Sequence, residues 1–225
     1  MRTLLLRAAD YLYPGQPGRY GTLPVLLIAL TCVTGIVDAV SFLGLRHVFV
    51  ANMTGNVVFI GFSLAGATDL SLWASALAFA AFVVGAWTAG RVVRRLGTAQ
   101  RAFRTVVTVQ TVLVAGAVVL AAGAGHTATG AQVGLIVLLG LGMGLQNGAV
   151  LTVKLPDLTT TVLTRVLTGL VTDPPGRAGV RRTVSILAML AGAVTGAALL
   201  LHVGAGAALG LALALLVGVG LAARL

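Results

Sequence analysis

The chain has 225 residues, 58% of them hydrophobic and 9% charged, with 30 glycines and a formal net charge of +10. Soluble domains carry about 25% charged residues. This balance, with a mean hydropathy of +1.05, excludes a soluble globular domain and points to one polytopic membrane domain. The basic residues cluster between hydrophobic runs, which fits loops retained on the cytoplasmic side and speaks against a nucleic-acid partner.

Residues 1–20 carry Arg2, Arg7, Arg19, Pro14 and Pro17 and read as an interfacial, partly helical leader. Leu4, Leu5, Leu6 and Tyr11 then lie on the membrane surface, and a frayed terminus is the competing expectation. The apolar run here is too short for a cleavable signal, and no small-residue cleavage site follows it. Residues 21–225 form a single integral membrane domain. Its first transmembrane helix is predicted over 23–44 and contains Asp38 and the single cysteine, Cys32. One cysteine forms no intramolecular disulfide and no metal-thiolate site.

The stretch 45–68 is interrupted: HVFVA, then the polar knot Asn52, Met53, Thr54, Gly55, Asn56, then a short apolar run. A third run spans about 71–91. An arginine-rich loop follows with Arg91, Arg94, Arg95, Arg101 and Arg104. Helices are predicted over about 105–122 and 131–150, joined by a Gly/His/Thr loop at 123–130. Residues 151–173 are irregular again, and the Asp173-Pro174-Pro175-Gly176 break and Arg177, Arg181 and Arg182 follow. Helices at about 183–201 and 205–222 finish the chain.

Charge decides between topologies. If both interrupted segments cross the membrane, arginine clusters fall on both sides. If both return to the side they came from, the leader, the 91–104 loop, Lys154, the 177–182 cluster and Arg224 all fall inside, and only Arg46 is outside. The expected fold is therefore an all-α membrane protein with six full spans and two short broken or re-entrant helices, both termini being cytoplasmic. Each short helix of about 15 residues would reach about 22 Å, against a hydrocarbon core of about 30 Å.

Three crossings per half make the halves, about 21–123 and 130–225, point oppositely. Matching positions occur in order: Gly35-x-x-Asp38 with Gly144-x-x-Asn147, Met53-Thr54 with Leu163-Thr164, and Gly85-Ala86-Trp87-Thr88 with Gly192-Ala193-Val194-Thr195. An inverted repeat with broken helices in corresponding places is a recurrent plan of secondary transporters, with the site where the repeats meet.

Asp38 is the leading candidate for proton or ion coupling, because an unpaired charge at depth costs at least about 2.5–3.5 kcal/mol and is functional by default. The competing role is interhelical hydrogen bonding. Asn52, Thr54 and Asn56 surround the start of the first short helix, where free N–H groups attract an anion or carbonyl oxygen. Asn52 is a plausible N-cap, and Gly55 lets a ligand or a facing helix approach. In the second half, Asp157 is the expected N-cap after Pro156, followed by Thr159, Thr160, Thr161 and Thr164. Arg165 either snorkels or adds charge to the site. Gln146 and Asn147 serve as uncharged counterparts of the Asp38 region or as interhelical bonds. The substrate-binding set is thus Asn52, Thr54, Asn56, Asn147, Thr161 and Thr164. His47 reads as an interfacial residue rather than a proton shuttle. His126 and His202 lack metal-like spacing. Trp73 and Trp87 occupy belt positions, and Gly140/Gly144 and Gly192/Gly196 are packing seams.

Catalytic and phosphate-loop signatures do not occur in the chain. Asp38 and Asp157 as an aspartyl pair is disfavoured, since Asp157 fits better as a cap. No enzymatic activity, cofactor or metal is expected.

The segment GIVDAVSFLGLRHVFVANMTGNVVFIG at 35–61 resembles the signature of the YoaK, or DUF1275, family of bacterial inner-membrane proteins. GLQNGAV at 144–150 and the stretch from Pro156-Asp157 to Thr164 are similar too. The resemblance extends over most of the chain, least over the leader. It implies a six-span fold in the bacterial inner (plasma) membrane and supplies no substrate. Arg165 stands where the family's small residue is expected.

The expectation that results is a small secondary transporter or channel-like permease for a small polar, anionic or zwitterionic solute, with a midplane site between the two short helices. The alternative is a non-transporting scaffold, assembly factor or lipid-binding protein whose buried polar residues are structural. The expected partners are the lipid bilayer and the solute, and a homo-oligomer is compatible with the composition.

Overall fold

In lipid every backbone group must find its partner within the protein, and helices do this locally. The computed structural model describes residues 2–14, 19–153, 155, 163–174 and 176–224, without the side chains of 153, 163 and 165. Its helices are α1 (Arg2–Leu12), α2 (Leu23–Gly44), α3 (Met53–Leu64), α4 (Leu72–Leu96), α5 (Ala99–Ala124), α6 (Thr129–Val153), α7 (Leu163–Thr172), α8 (Arg177–His202) and α9 (Ala205–Ala222). Among the described residues there is no strand. The protein is an all-α polytopic membrane protein, with α2, α4, α5, α6, α8 and α9 long and apolar enough to span. α3 and α7 have 12 and 10 residues, about 18 and 15 Å at 1.5 Å per residue, well short of a core of about 30 Å.

Several helices outrun their apolar runs. α4 continues through Arg91, Arg94 and Arg95, α5 includes Arg101 and Arg104, and α8 begins at Arg177. Hydropathy marks only the part in hydrocarbon, while arginine is a good helix former beyond it. α4 stops at Gly97, whose φ of 67° is the left-handed cap that glycine supplies.

Close packing fixes the direction of each long helix. The Cys32 carbonyl faces Gly192 and the Ile36 backbone faces Gly196, with Leu200 against Gly44, so α2 and α8 run parallel. Ala78 and Ala81 meet Gly140, Phe82 and Ala86 meet Gly144, and Ala89 meets Gly148, so α4 and α6 also run parallel. Leu120 lies against Gly134 and Leu113 against Gly142, which makes α5 and α6 antiparallel. Val107 at Gly220 and Ala122 at Gly206 make α5 and α9 antiparallel. Gln146 bonds Thr34 while Gln132 bonds Arg46, so α2 and α6 are antiparallel.

It follows that α4 runs opposite to α2, and α8 opposite to α6. The segment 45–71 leaves and returns at one end of the bundle, and α6 ends and α8 begins at the other. That second end also holds α1, whose Leu12 carbonyl accepts from Arg181 at 3.0 Å, and the end of α9, where the Ala223 carbonyl accepts from Arg104 at 2.5 Å. Among the described residues, Arg46 is the one arginine or lysine at the opposite end. We call the two ends basic and opposite.

The packing has an exchange symmetry. Swapping α2 with α6, α3 with α7, α4 with α8 and α5 with α9 turns α2 on α8 into α6 on α4, and α2 on α9 into α6 on α5. It likewise turns α3 on α4 into α7 on α8. Because α2 and α6 are antiparallel, the two sets of four helices are inverted. The contacts are tight: a Cβ on Gly35 would lie 2.3 Å from the Met189 carbonyl oxygen, and one on Gly85 2.3 Å from that of Leu141. Small residues let membrane helices pack backbone to backbone, where burial of apolar surface from water gives no drive.

Candidate functional site

After Gly44 the chain turns sharply. Arg46 and His47 have φ of 63° and 58°, a left-handed conformation that costs non-glycine residues roughly 1–2 kcal/mol each. Residues 48–52 then run back along α2, and α3 returns toward the opposite end. The peptides of this turned-back strand, a single run of chain outside any sheet, have no helix or sheet to bond to, so side chains serve them. Asp38 lies about 9 Å short of the end of α2 by helical rise. Its Oδ1 accepts from Val50 N at 3.1 Å and Ala51 N at 2.9 Å. Asn56, fully buried on α3, accepts from Phe49 N at 3.0 Å and donates to Phe49 O at 2.5 Å. Asp38 is 6% exposed, and its Oδ2 accepts no hydrogen bond among the described residues.

Rings complete the clamp. Phe42 of α2 stacks on Phe49 at 4.8 Å, Phe49 stacks on Phe59 of α3 at 5.9 Å, and His47 meets the Phe42 ring edge-on at 5.4 Å. A Cβ on Gly55 would sit 2.8 Å from the Phe49 ring. The space expected there for a ligand or a facing helix is filled by Phe49.

One turn before Asp38 on the same face of α2 lies Thr34. Its hydroxyl donates to Leu30 O at 2.9 Å and accepts from Gln146 Nε2 at 2.9 Å. Gln146 Oε1 accepts from Gln110 Nε2 at 2.7 Å. All three are buried, and Gln110 Oε1 is buried with no partner among the described residues. A chain of polar groups thus links α2, α6 and α5 on the basic-end side of Asp38. Sequence reasoning passed over Thr34 and Gln110. The signal was present, since Gln110 is an amide within a run otherwise of valine, threonine and leucine, and intramembrane polar residues pair.

The remaining predicted residues take separate places. Asn52 stands at the N-cap position of α3 but makes no cap bond, and both it and Thr54 are exposed. Asn147 is half-buried and donates to Met143 O in its own helix at 2.9 Å. Thr164 is exposed on α7. Lys154, Pro156, Asp157, Thr159, Thr160 and Thr161 lie outside the described residues, as does the Arg165 side chain. α3 packs on α4 and α7 on α8, and the two short helices share no packing interface among the described residues. α7 is held from α8: Arg182 donates to Gly169 O at 2.5 Å and pairs with Asp173 at 2.7 Å.

Residues 26–222 match the family described as a protein of unknown function, DUF1275. The chain belongs to the DUF1275 family. It is 33% identical over 154 residues, covering 67% of each chain, to the UPF0700 transmembrane protein YoaK of Bacillus subtilis (strain 168). No solved structure matches it. The DUF1275 match takes in α3 to α9 entire and nearly all of α2, so the Asp38 clamp and the amide chain lie within the family region and α1 lies before it.

This DUF1275 member has one further polar feature. At the opposite end, where 45–71 leaves and returns, Arg46, His47, Thr68, Asp69, Leu70 and Ser71 line a cavity of about 390 Å³. Arg46 Nε donates to Gln132 Oε1 of α6 at 2.9 Å, and the Ser71 hydroxyl caps α4 by accepting from Ala74 N at 3.4 Å. Among the described residues no group of three or more His, Cys, Asp or Glu side chains could hold a metal ion.

Proposed function

We propose that the chain is a small permease of the bacterial inner membrane, with the basic end cytoplasmic. The excess of arginine at that end supports this orientation. The short helices α3 and α7 are then re-entrant, entering from opposite faces. The solute is small and polar, and Asp38 is the proton- or ion-coupling group. Asn56 holds the turned-back strand beside it, and Thr34, Gln146 and Gln110 carry the polar path toward the cytoplasmic half. No enzymatic role, cofactor or metal is assigned. The observation that carries the proposal is a carboxyl buried beside a break in the helices, with one oxygen occupied by backbone and the other free. Irregular backbone at depth is tolerated where it is buried or lines a cavity, and transporters use such breaks as binding sites. Flux of labelled metabolites into proteoliposomes tests it: uptake that Asp38→Asn abolishes without unfolding supports it, and no uptake of any class overturns it.

A second function, a non-transporting scaffold, is favoured by one observation. Asp38 Oδ1 and Asn56 are fully engaged in holding residues 49–51, as structural polar groups would be. Thiol labelling separates the two. In a Cys32→Ser background, Asp38→Cys reacts with a water-soluble methanethiosulfonate in a permease and is inert in a dry scaffold.

A further inference from the structure

We propose that the cavity at the opposite end binds a small zwitterion, Arg46 taking its carboxylate and Asp69 its ammonium group. Arg46 and Asp69 line the same cavity, yet neither forms an ion pair among the described residues. Opposite charges that share a pocket without neutralising each other are arranged for a ligand carrying both. The guanidinium is also held. Its Nε is tied to Gln132, which is 6% exposed, and this leaves the two terminal nitrogens for a bidentate carboxylate. Arg46 is moreover the one arginine at this end among the described residues, where no lysine is described either, set against the charge bias of the rest of the bundle. The backbone under Arg46 and His47 is in the left-handed region without glycine, and such conformations cluster at ligand clamps. A cavity of about 390 Å³ is of the size that small-molecule sites take. His47 joins it to the Phe42–Phe49–Phe59 stack, and so to the strand that Asp38 holds.

This inference deepens the permease proposal by naming the solute class, while its test needs no transport. The full chain in detergent is titrated by calorimetry with glycine and β-alanine (zwitterions), acetate (anion) and methylammonium (cation). The zwitterions are expected to bind about tenfold more tightly than acetate or methylammonium, each lacking one charged contact. Arg46→Gln weakens the zwitterions about tenfold and abolishes acetate. Asp69→Asn lowers the zwitterions to the level of acetate and leaves acetate unchanged or tighter. Both side chains are exposed, so the unliganded melting temperature verifies folding. If Arg46→Gln does not fold, Arg46→Lys keeps the charge, loses the fork, and is expected to weaken glycine several-fold. Acetate binding equal to glycine and indifferent to Asp69→Asn overturns the proposal, and so does the absence of saturable binding by all four probes. Binding without flux leaves this pocket standing and the permease refuted. Flux without binding does the reverse.

Discussion

Asn56 grips the peptide of Phe49 at both its polar atoms, accepting from the N–H at 3.0 Å and donating to the carbonyl at 2.5 Å. One side-chain amide thus does for a single residue what a neighbouring strand would do. Asn56→Leu leaves both groups buried and unpaired. It is expected to lower stability by about 2–4 kcal/mol. Thermal unfolding in detergent measures this, and wild-type stability in Asn56→Leu would mean the strand is held otherwise.

Asp38 binds the same strand through one oxygen only, so asparagine can replace it as an acceptor. Asp38→Asn is expected to unfold within a few degrees of the wild type. Asp38→Leu strands the Val50 and Ala51 N–H groups and costs roughly 2–4 kcal/mol. Comparing their melting curves checks this, and equal losses for both would show that the charge itself holds the strand.

The helix crossings tolerate no side chain. Gly35→Val and Gly144→Val each push a Cβ within 2.3 Å of a facing carbonyl oxygen. Both variants are expected to lose the monodisperse folded species in size-exclusion chromatography. Gly61 is exposed with open space around its Cα, and Gly61→Ala is the control, expected to elute as wild type.

Because 45–71 starts and ends at one end of the bundle, cysteines at positions 47 and 68 share a side of the membrane. In a Cys32→Ser background, both are expected to react with an impermeant maleimide added to whole cells. Cysteines at 98 and 173 are expected to react only after permeabilisation. Reactivity of 47 and 68 from opposite sides would mean that α3 crosses.

The bounds of α2 and α9 were legible because their apolar runs end at glycine or a helix cap. The extra turns of α4, α5 and α8 were not, since charged residues beyond the hydrocarbon carry no hydropathy signal while remaining helical. Asp38 and Asn56 stood out as polar residues in an apolar setting. That Asn52 and Thr54 face outward while Asn56 faces in was not legible, because it depends on which side of α3 meets the strand. Thr34 and Gln110 acquire meaning only through Gln146, 112 and 36 residues away in sequence.

By itself the sequence determined that the chain lives in a bilayer, that six of its apolar runs are long enough to span, and that its arginines cluster between them. Those properties follow from composition and length, which act locally. Which glycines face each other, that α3 packs on α4 and α7 on α8, and that Asp38 spends an oxygen on the backbone of residues 50–51 were decided only in three dimensions. A buried polar group takes whatever partner the packing brings within about 3 Å, and distant helices set that packing.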